Sequence, residues 1–214
     1  MRPITVTVGP LAAASANNIA LSQTPASAGA LTLNGSLVTA GVAILDSPRR
    51  ILITTADTTH TFTLIGLSPT MSLLTESFLI VGGASYSALD YAKVTGILIN
   101  GAATAAVTVG TNGIASTPWV RLDEWANTQV TIQCNATGTV NYTVQSTLDD
   151  PNSLTDAVVP SAVNWVPTND TSAVGATATL QTNFYFAPTF ARVLLNSGTG
   201  TVVSKFIQAN VANR

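Results

Sequence analysis

The chain alternates between apolar and polar positions almost throughout. Short runs of β-branched or other apolar residues, interleaved with polar ones, recur along its length, and Gly, Asn, Asp or Pro separates them. Alternation with period two places the apolar side chains on one face of an extended segment, so the pattern predicts strands. The first set is ITVTV (4–8), ALTLNGSLVT (30–39), RRILITT (49–55), HTFTLIG (60–66), SFLIVG (77–82), VTGILIN (94–100) and AAVTVG (105–110). The second set is QVTIQCNA (129–136), TVNYTVQST (139–147), ATATLQT (176–182), ARVLLN (191–196) and TVVSKFIQA (201–209). Helical turns are expected only in brief stretches around 10–17, 86–92 and 122–127. Many short strands with frequent turn residues predict an all-β protein built as two β-sandwich domains, jelly-roll or Ig-like, with an extended N-terminal arm.

Three segments share one layout of strand, small-residue turn and strand: 49–66, 94–110 and 191–209. Each reads as a hairpin. The clearest is the last, where Asn196-Ser197-Gly198-Thr199-Gly200 supplies the residues that tolerate positive φ in a short loop. GTNGIASTPWV (110–120) marks a boundary, because Gly110 and Asn112-Gly113 close one strand set and Ser116-Thr117-Pro118 opens the next. The expected organisation is an N-terminal arm, or first strand, and linker over 1–28, a first sandwich over 29–114 and a second over 115–214. The arm is small, polar and Pro-containing, which suits it to docking on a neighbour.

Composition narrows the function. Charged residues make up 8% of the 214, against roughly 25% in an ordinary soluble domain, and the formal net charge is −2. A surface of Thr, Ser, Asn and Ala carries little charge repulsion and favours association. No electrostatic reason exists to bind nucleic acid or an anionic membrane, no window is apolar enough for a membrane span, and no secretory signal is expected. Cys134 is the single cysteine and His60 the single histidine. One chain therefore offers neither a disulfide nor a cysteine-based zinc site, and Cys134 reads as a buried small apolar group. The sequons at Asn34, Asn135, Asn141 and Asn169 match what this Asn, Ser and Thr content yields by chance.

Few groups could carry chemistry. Asp149-Asp150, with Asn152 and Asp156 nearby, could ligate a cation, but the spacing lacks the loop pattern and ligand number of a calcium site. Adjacent strand residues also point to opposite faces, so the pair does not converge as a glycosidase pair must. Its expected role is to end a strand on a Pro-containing turn. Asp123-Glu124 with Trp119 and Trp125 could line a sugar site; the structural alternative is that the tryptophans are packed and Arg121 pairs locally. His60 lacks a nucleophile motif and a second metal ligand. Arg49-Arg50 is too small a basic patch for phosphate, and pairing with Asp46 or a neighbouring subunit is expected. In NFYFAPTF, Phe184, Tyr185, Phe186 and Phe190 form either a core strand or, together with Trp119 and Trp125, an intersubunit or docking surface.

The segments RRILITTADTTHTFTLIG, VTVGTNGIASTPWVRLDEWAN, TVNYTVQSTLDDPN and ARVLLNSGTGTVVSKFIQAN, which together cover most of 49–209, carry a family likeness. The chain resembles small β-rich structural proteins of tailed bacteriophage virions. The resemblance implies a non-enzymatic capsid-decorating (cement) protein made in the host cytoplasm and located on the virion. It also implies a homo-oligomer, a trimer or hexamer, that contacts the major capsid protein or neck and tail proteins. No catalytic residue, cofactor or metal follows from it. The alternatives are a neck or tail accessory protein, or a carbohydrate- or cell-surface-binding β module. One stretch departs from the pattern: MSLLTES (71–77) is more apolar than an exposed strand usually is.

Overall fold

The computed structural model describes residues 3–122, 129–186 and 188–208. The chain begins with β1 (Ile4–Val8) and β2 (Ser15–Gln23). Next come β3 (Gly29–Ala30), β4 (Val38–Thr39), β5 (Val42–Arg49), β6 (Ile51–Thr55), β7 (Thr61–Leu67) and β8 (Leu73–Leu79). They are followed by β9 (Ala84–Tyr86), β10 (Tyr91–Ile99), β11 (Val107–Thr111), β12 (Ala115–Ser116), β13 (Val120–Arg121) and β14 (Val130–Thr137). The remaining described strands are β15 (Val140–Thr147), β16 (Val166–Pro167), β17 (Leu180–Phe184), β18 (Phe190–Gly198) and β19 (Thr201–Gln208). Among the described residues the helical elements are two single 3-10 turns, Pro160–Ala162 and Thr171–Ala173. The protein is all-β, and its four sheets are antiparallel. The helical turns expected around 10–17 and 86–92 are absent: β2 takes up 15–17, β9 and β10 take up 86 and 91–92, and the rest of each stretch is irregular. Most of the one expected at 122–127 lies outside the described residues.

Two compact units result. One is Ala12–Gly113; the other joins Met1–Leu11 to Ile114–Arg214. The first 28 residues are therefore not an arm. In β1, Thr5 and Thr7 face outward while Val8 is buried, and the strand pairs with β19 from Ile4↔Phe206 to Val8↔Val202. The alternation of TVTV was the signal for this strand. β2 was missed because its pairing with β11 shifts register twice, which breaks the simple period. Its middle is nonetheless core, with Ile19 and Ala20 fully buried.

The strand–turn–strand segments are not hairpins. β6 and β7 lie in different sheets, as do β10 and β11, and β18 and β19. Each turn carries the chain across from one sheet to the other. The crossings come in pairs. In Ala12–Gly113, β6 pairs with β11 and β7 pairs with β10, so the two segments cross together. In the other unit, β14 pairs with β19 and β15 pairs with β18 in the same way. The correspondence extends to whole sheets. The order β2-β11-β6-β9 matches β1-β19-β14-β17, and β5-β10-β7-β8 matches β12-β18-β15-β16.

One apolar cluster in the discontinuous unit draws on both of its sheets. Val8, Ile132, Cys134 and Phe206 come from one, and Tyr142, Val144, Val193 and Leu195 from the other. The crossing turns must pack tightly for that cluster to close. Gly200 donates its amide to the Thr139 carbonyl at 2.9 Å, stacking one turn on the other. Gly198 has φ +112°, and a Cβ there would collide with the Thr139 carbonyl oxygen. Gly198→Val should therefore destabilise this unit by about 1–3 kcal/mol through strain and overpacking. Thermal unfolding followed by circular dichroism would read this as a lowered Tm.

Candidate functional site

The crossing turns of Ala12–Gly113 hold the most concentrated polar chemistry of that unit. Residues 56–60 join β6 to β7, and 100–106 join β10 to β11. Asp57, in the first turn, is fully buried. Its Oδ1 accepts from the Thr59 amide at 2.9 Å and the Thr59 hydroxyl at 2.8 Å. Its Oδ2 accepts from His60 Nδ1 at 2.7 Å and from the Thr104 amide, in the second turn, at 2.8 Å. One carboxylate thus stitches both turns. Burial alone would raise its pKa, but the bonds from Thr104, Thr59 and His60 outweigh that and hold the carboxyl far below its ordinary range. Asp57 is the partner that sequence reasoning missed for His60; the only available signal was the D-x-x-H spacing inside a turn.

A histidine held by a buried aspartate resembles the base and orienting acid of a nucleophilic triad. Among the described residues the hydroxyl hydrogen-bonded to His60 is that of Thr59, at 3.1 Å on the same Nδ1 that Asp57 holds. The Nε2 edge of His60 lies against Gly101, where a Cβ would collide with the ring. That edge lies close to the Gly101 backbone, and the side chain as a whole is 22% exposed. The dyad is a turn lock.

Arg49 is 1% exposed. Its guanidinium donates to the Ala12 carbonyl at 2.8 Å and the Asn112 carbonyl at 3.4 Å, and pairs with Asp46. Asp46 in turn accepts the Ala12 amide at 2.7 Å. Burial works against the Asp46 charge, yet the Ala12 amide and Arg49 prevail and lower its pKa. Arg50 approaches Asp90 at 4.0 Å and lies over the Tyr86 ring. Glu76 receives the amides of Ala88 at 2.6 Å and Leu89 at 3.2 Å, and burial pushes its pKa up despite them.

In the other unit, Asp149 and Asp150 each serve a turn. Asp149 accepts the Asn164 amide at 2.6 Å, and Asp150 accepts the Asn152 amide at 2.8 Å. Asp150 also pairs with Arg121 at 3.2 Å. The two carboxylates do not converge on a common point. Cys134 is fully buried, and burial raises its pKa, which leaves it as an inert thiol.

The aromatic residues separate into two groups. Trp119 packs edge-on against Trp165 at 5.0 Å and against Phe190 at 5.9 Å. The Arg192 guanidinium covers the Trp165 face at 4.1 Å, and Arg121 lies over Phe190 at 5.5 Å. These rings pack on one another or under a cation, and Trp119 and Trp165 are each half-buried. Trp119 is the centre of that stack, and Trp165, unremarked in the sequence, is its partner on the Arg192 side. Asp123, Glu124 and Trp125 lie outside the described residues. The second group follows β17. Phe184 is core, whereas Tyr185 is 79% and Phe186 43% exposed. Phe186 tilts against Phe184 at 5.7 Å and helps line an apolar cleft of about 160 Å³ with Leu148, Val166 and Pro167. Small-molecule sites usually enclose roughly 300–1,000 Å³, so this cleft fits a protein side chain better than a ligand.

Asp57→Ala strips the acceptor from five donors, the His60 amide among them, and should cost about 2–4 kcal/mol, measurable by urea unfolding at neutral pH. The sign with pH follows from the lowered pKa. The stability carried by ionised Asp57 is complete above its unfolded pKa and is lost as pH falls through the lower folded value. The gap between wild type and Asp57→Asn should therefore narrow on acidification. No protein-family model matches the chain, and no curated protein is similar to it.

Proposed function

We propose that the chain is a non-enzymatic structural component of a virion, with each unit a jelly-roll β-sandwich. It most closely fits a capsid-decorating protein that stabilises the particle through uncharged, β-rich contacts between copies and with the capsid protein. The observation that carries this reading is the placement of the ionisable groups. Asp57, His60, Arg49, Asp46, Glu76, Asp149 and Asp150 each hold a turn or a chain crossing. A chain whose chemistry is committed to its own architecture is suited to a mechanical task. The sheet order supports the jelly roll, since two four-strand sets linked by paired crossings give the double Greek key of that architecture. Jelly rolls serve in capsid and lectin domains alike, so the fold is compatible with the virion role without requiring it.

Tyr185 and Phe186 beside the cleft are the proposed docking surface, because they present aromatic area to solvent just beyond the end of β17. Purified particles should contain the protein, and electron microscopy of particles assembled with and without it should show its density on the head lattice. Density at the neck or tail would mark the accessory role instead. Absence from purified particles would refute the virion reading. Tyr185→Asp should abolish particle binding while leaving Tm unchanged within a degree or so, since that side chain is 79% exposed.

A further inference from the structure

We infer that β8 is an open pairing edge through which two copies of this chain join by antiparallel strand addition. The observation is the contrast between β8 and the other strands that end sheets. β4, β12 and β16 have two residues each, and β16 contains Pro167. β9 has three residues, and β1 and β17 have five. β2 has nine, but it is bulged, and the outer side of its middle, residues 18–21, is bonded. The Ile19 carbonyl accepts from Asn34 and Gly35, the Asn18 carbonyl from Leu37, and the Asn34 side chain accepts the Leu21 amide. These are the means by which edges are closed to other chains: shortness, proline, bulges and cover.

β8 uses none of these four, and the one further guard it carries is an inward-pointing charge. It runs for seven residues, pairs with β7 without a register shift from Leu73↔Leu67 to Leu79↔Thr61, and contains no proline. Its one charge, Glu76, is turned inward onto the amides of Ala88 and Leu89. Leu73 and Leu79 are 72% and 50% exposed. The matching strand of the other unit is β16, the proline-bearing pair. The same place in the same topology is closed in one unit and open in the other.

The identity of the occupant follows from the residue order. On the outward row stand Leu73, Thr75, Ser77 and Leu79, with Leu74 and Phe78 on the inward row. A second copy running antiparallel about Glu76 brings Leu73 against Leu79, Thr75 against Ser77 and Leu74 against Phe78. Apolar meets apolar and hydroxyl meets hydroxyl at every one of these positions. Moving the register by two in either direction sets Thr75 against Leu79 or Leu73 against Ser77. No charged side chain lies on the outward row; at the twofold itself Glu76 stands opposite Glu76, each carboxylate turned inward onto the Ala88 and Leu89 amides of its own copy, and the rest of the contact is self-complementary. Pairing joins two six-stranded sheets into one continuous sheet. This inference does not depend on the virion role.

Two double variants test the register. Thr75→Lys with Ser77→Lys sets lysine opposite lysine on both sides of the twofold and should weaken the dimer by roughly tenfold or more. Thr75→Lys with Ser77→Glu sets lysine opposite glutamate and should keep it. Oligomeric state is read by gel filtration with light scattering, and folding of each variant by circular dichroism. Because Cys134 is buried, a Leu73→Cys/Leu79→Cys protein offers a clean second readout: oxidation should give an intermolecular disulfide. A monomeric wild type overturns the proposal. So does a lysine–lysine variant that associates like wild type, or loss of association in the lysine–glutamate variant as well. If particle binding survives in a monomeric β8 variant, only the virion reading stands; if dimerisation survives without particle binding, only the edge pairing does.

Discussion

Two strands that cross together from one sheet to another must bring their turns into register, and both units are organised around that requirement. In Ala12–Gly113 the solution is electrostatic: the buried carboxylate of Asp57 receives donors from both turns. In the discontinuous unit it is steric: Gly198 and Gly200 let one turn settle on the backbone of the other. Once the crossings are set, the partner of every long strand is fixed, and so is the face each strand turns to the core. The shared sheet order is the consequence of the shared crossing, although the side chains that secure it differ.

The chain has few charges and places several of them inside. A buried charge costs several kcal/mol unless it is paired and hydrogen-bonded, so each interior group here must be matched. The match is met mostly by backbone: Arg49 binds two carbonyls, and Glu76 and Asp57 bind amides. Backbone partners cannot rotate away or be titrated. Such groups therefore specify chain path rather than offer reactivity. The surface keeps Thr, Ser and Ala, which resist association only weakly.

Much of the strand content was legible because alternation survives wherever one face is buried and the ladder is regular. β7, β14, β15 and β19 were read nearly in full for that reason. β2 was lost where bulges disturb the period, and only the ends of 30–39 are strand, since the middle caps the β2 edge. The turns were recognised as turns but not as crossings. Period and turn chemistry are local, whereas the choice between pairing back and crossing over is decided by partners far along the chain. Asp57 escaped notice for the same reason, because a buried turn acid looks like any turn acid. The aromatic run 184–190 was visible, but its division into core Phe184 and exposed Tyr185 depends on where β17 stops.

The Arg49 clasp has a consequence for the order in which the chain can fold. Ala12 and Asn112 are held by one guanidinium, and β2 pairs with β11 close by, so this unit can close as soon as its own residues are available. β1 has no such option. Its partner β19 lies about two hundred residues further on, so it must wait while a whole intervening unit is made. Bringing distant strands together costs loop entropy that grows only slowly with length, about 0.6 kcal/mol per doubling. A finished unit with its ends pinned shortens the effective loop by about half. The inserted unit thus acts as a preformed spacer, and its own completion lowers the barrier to closing the unit that surrounds it.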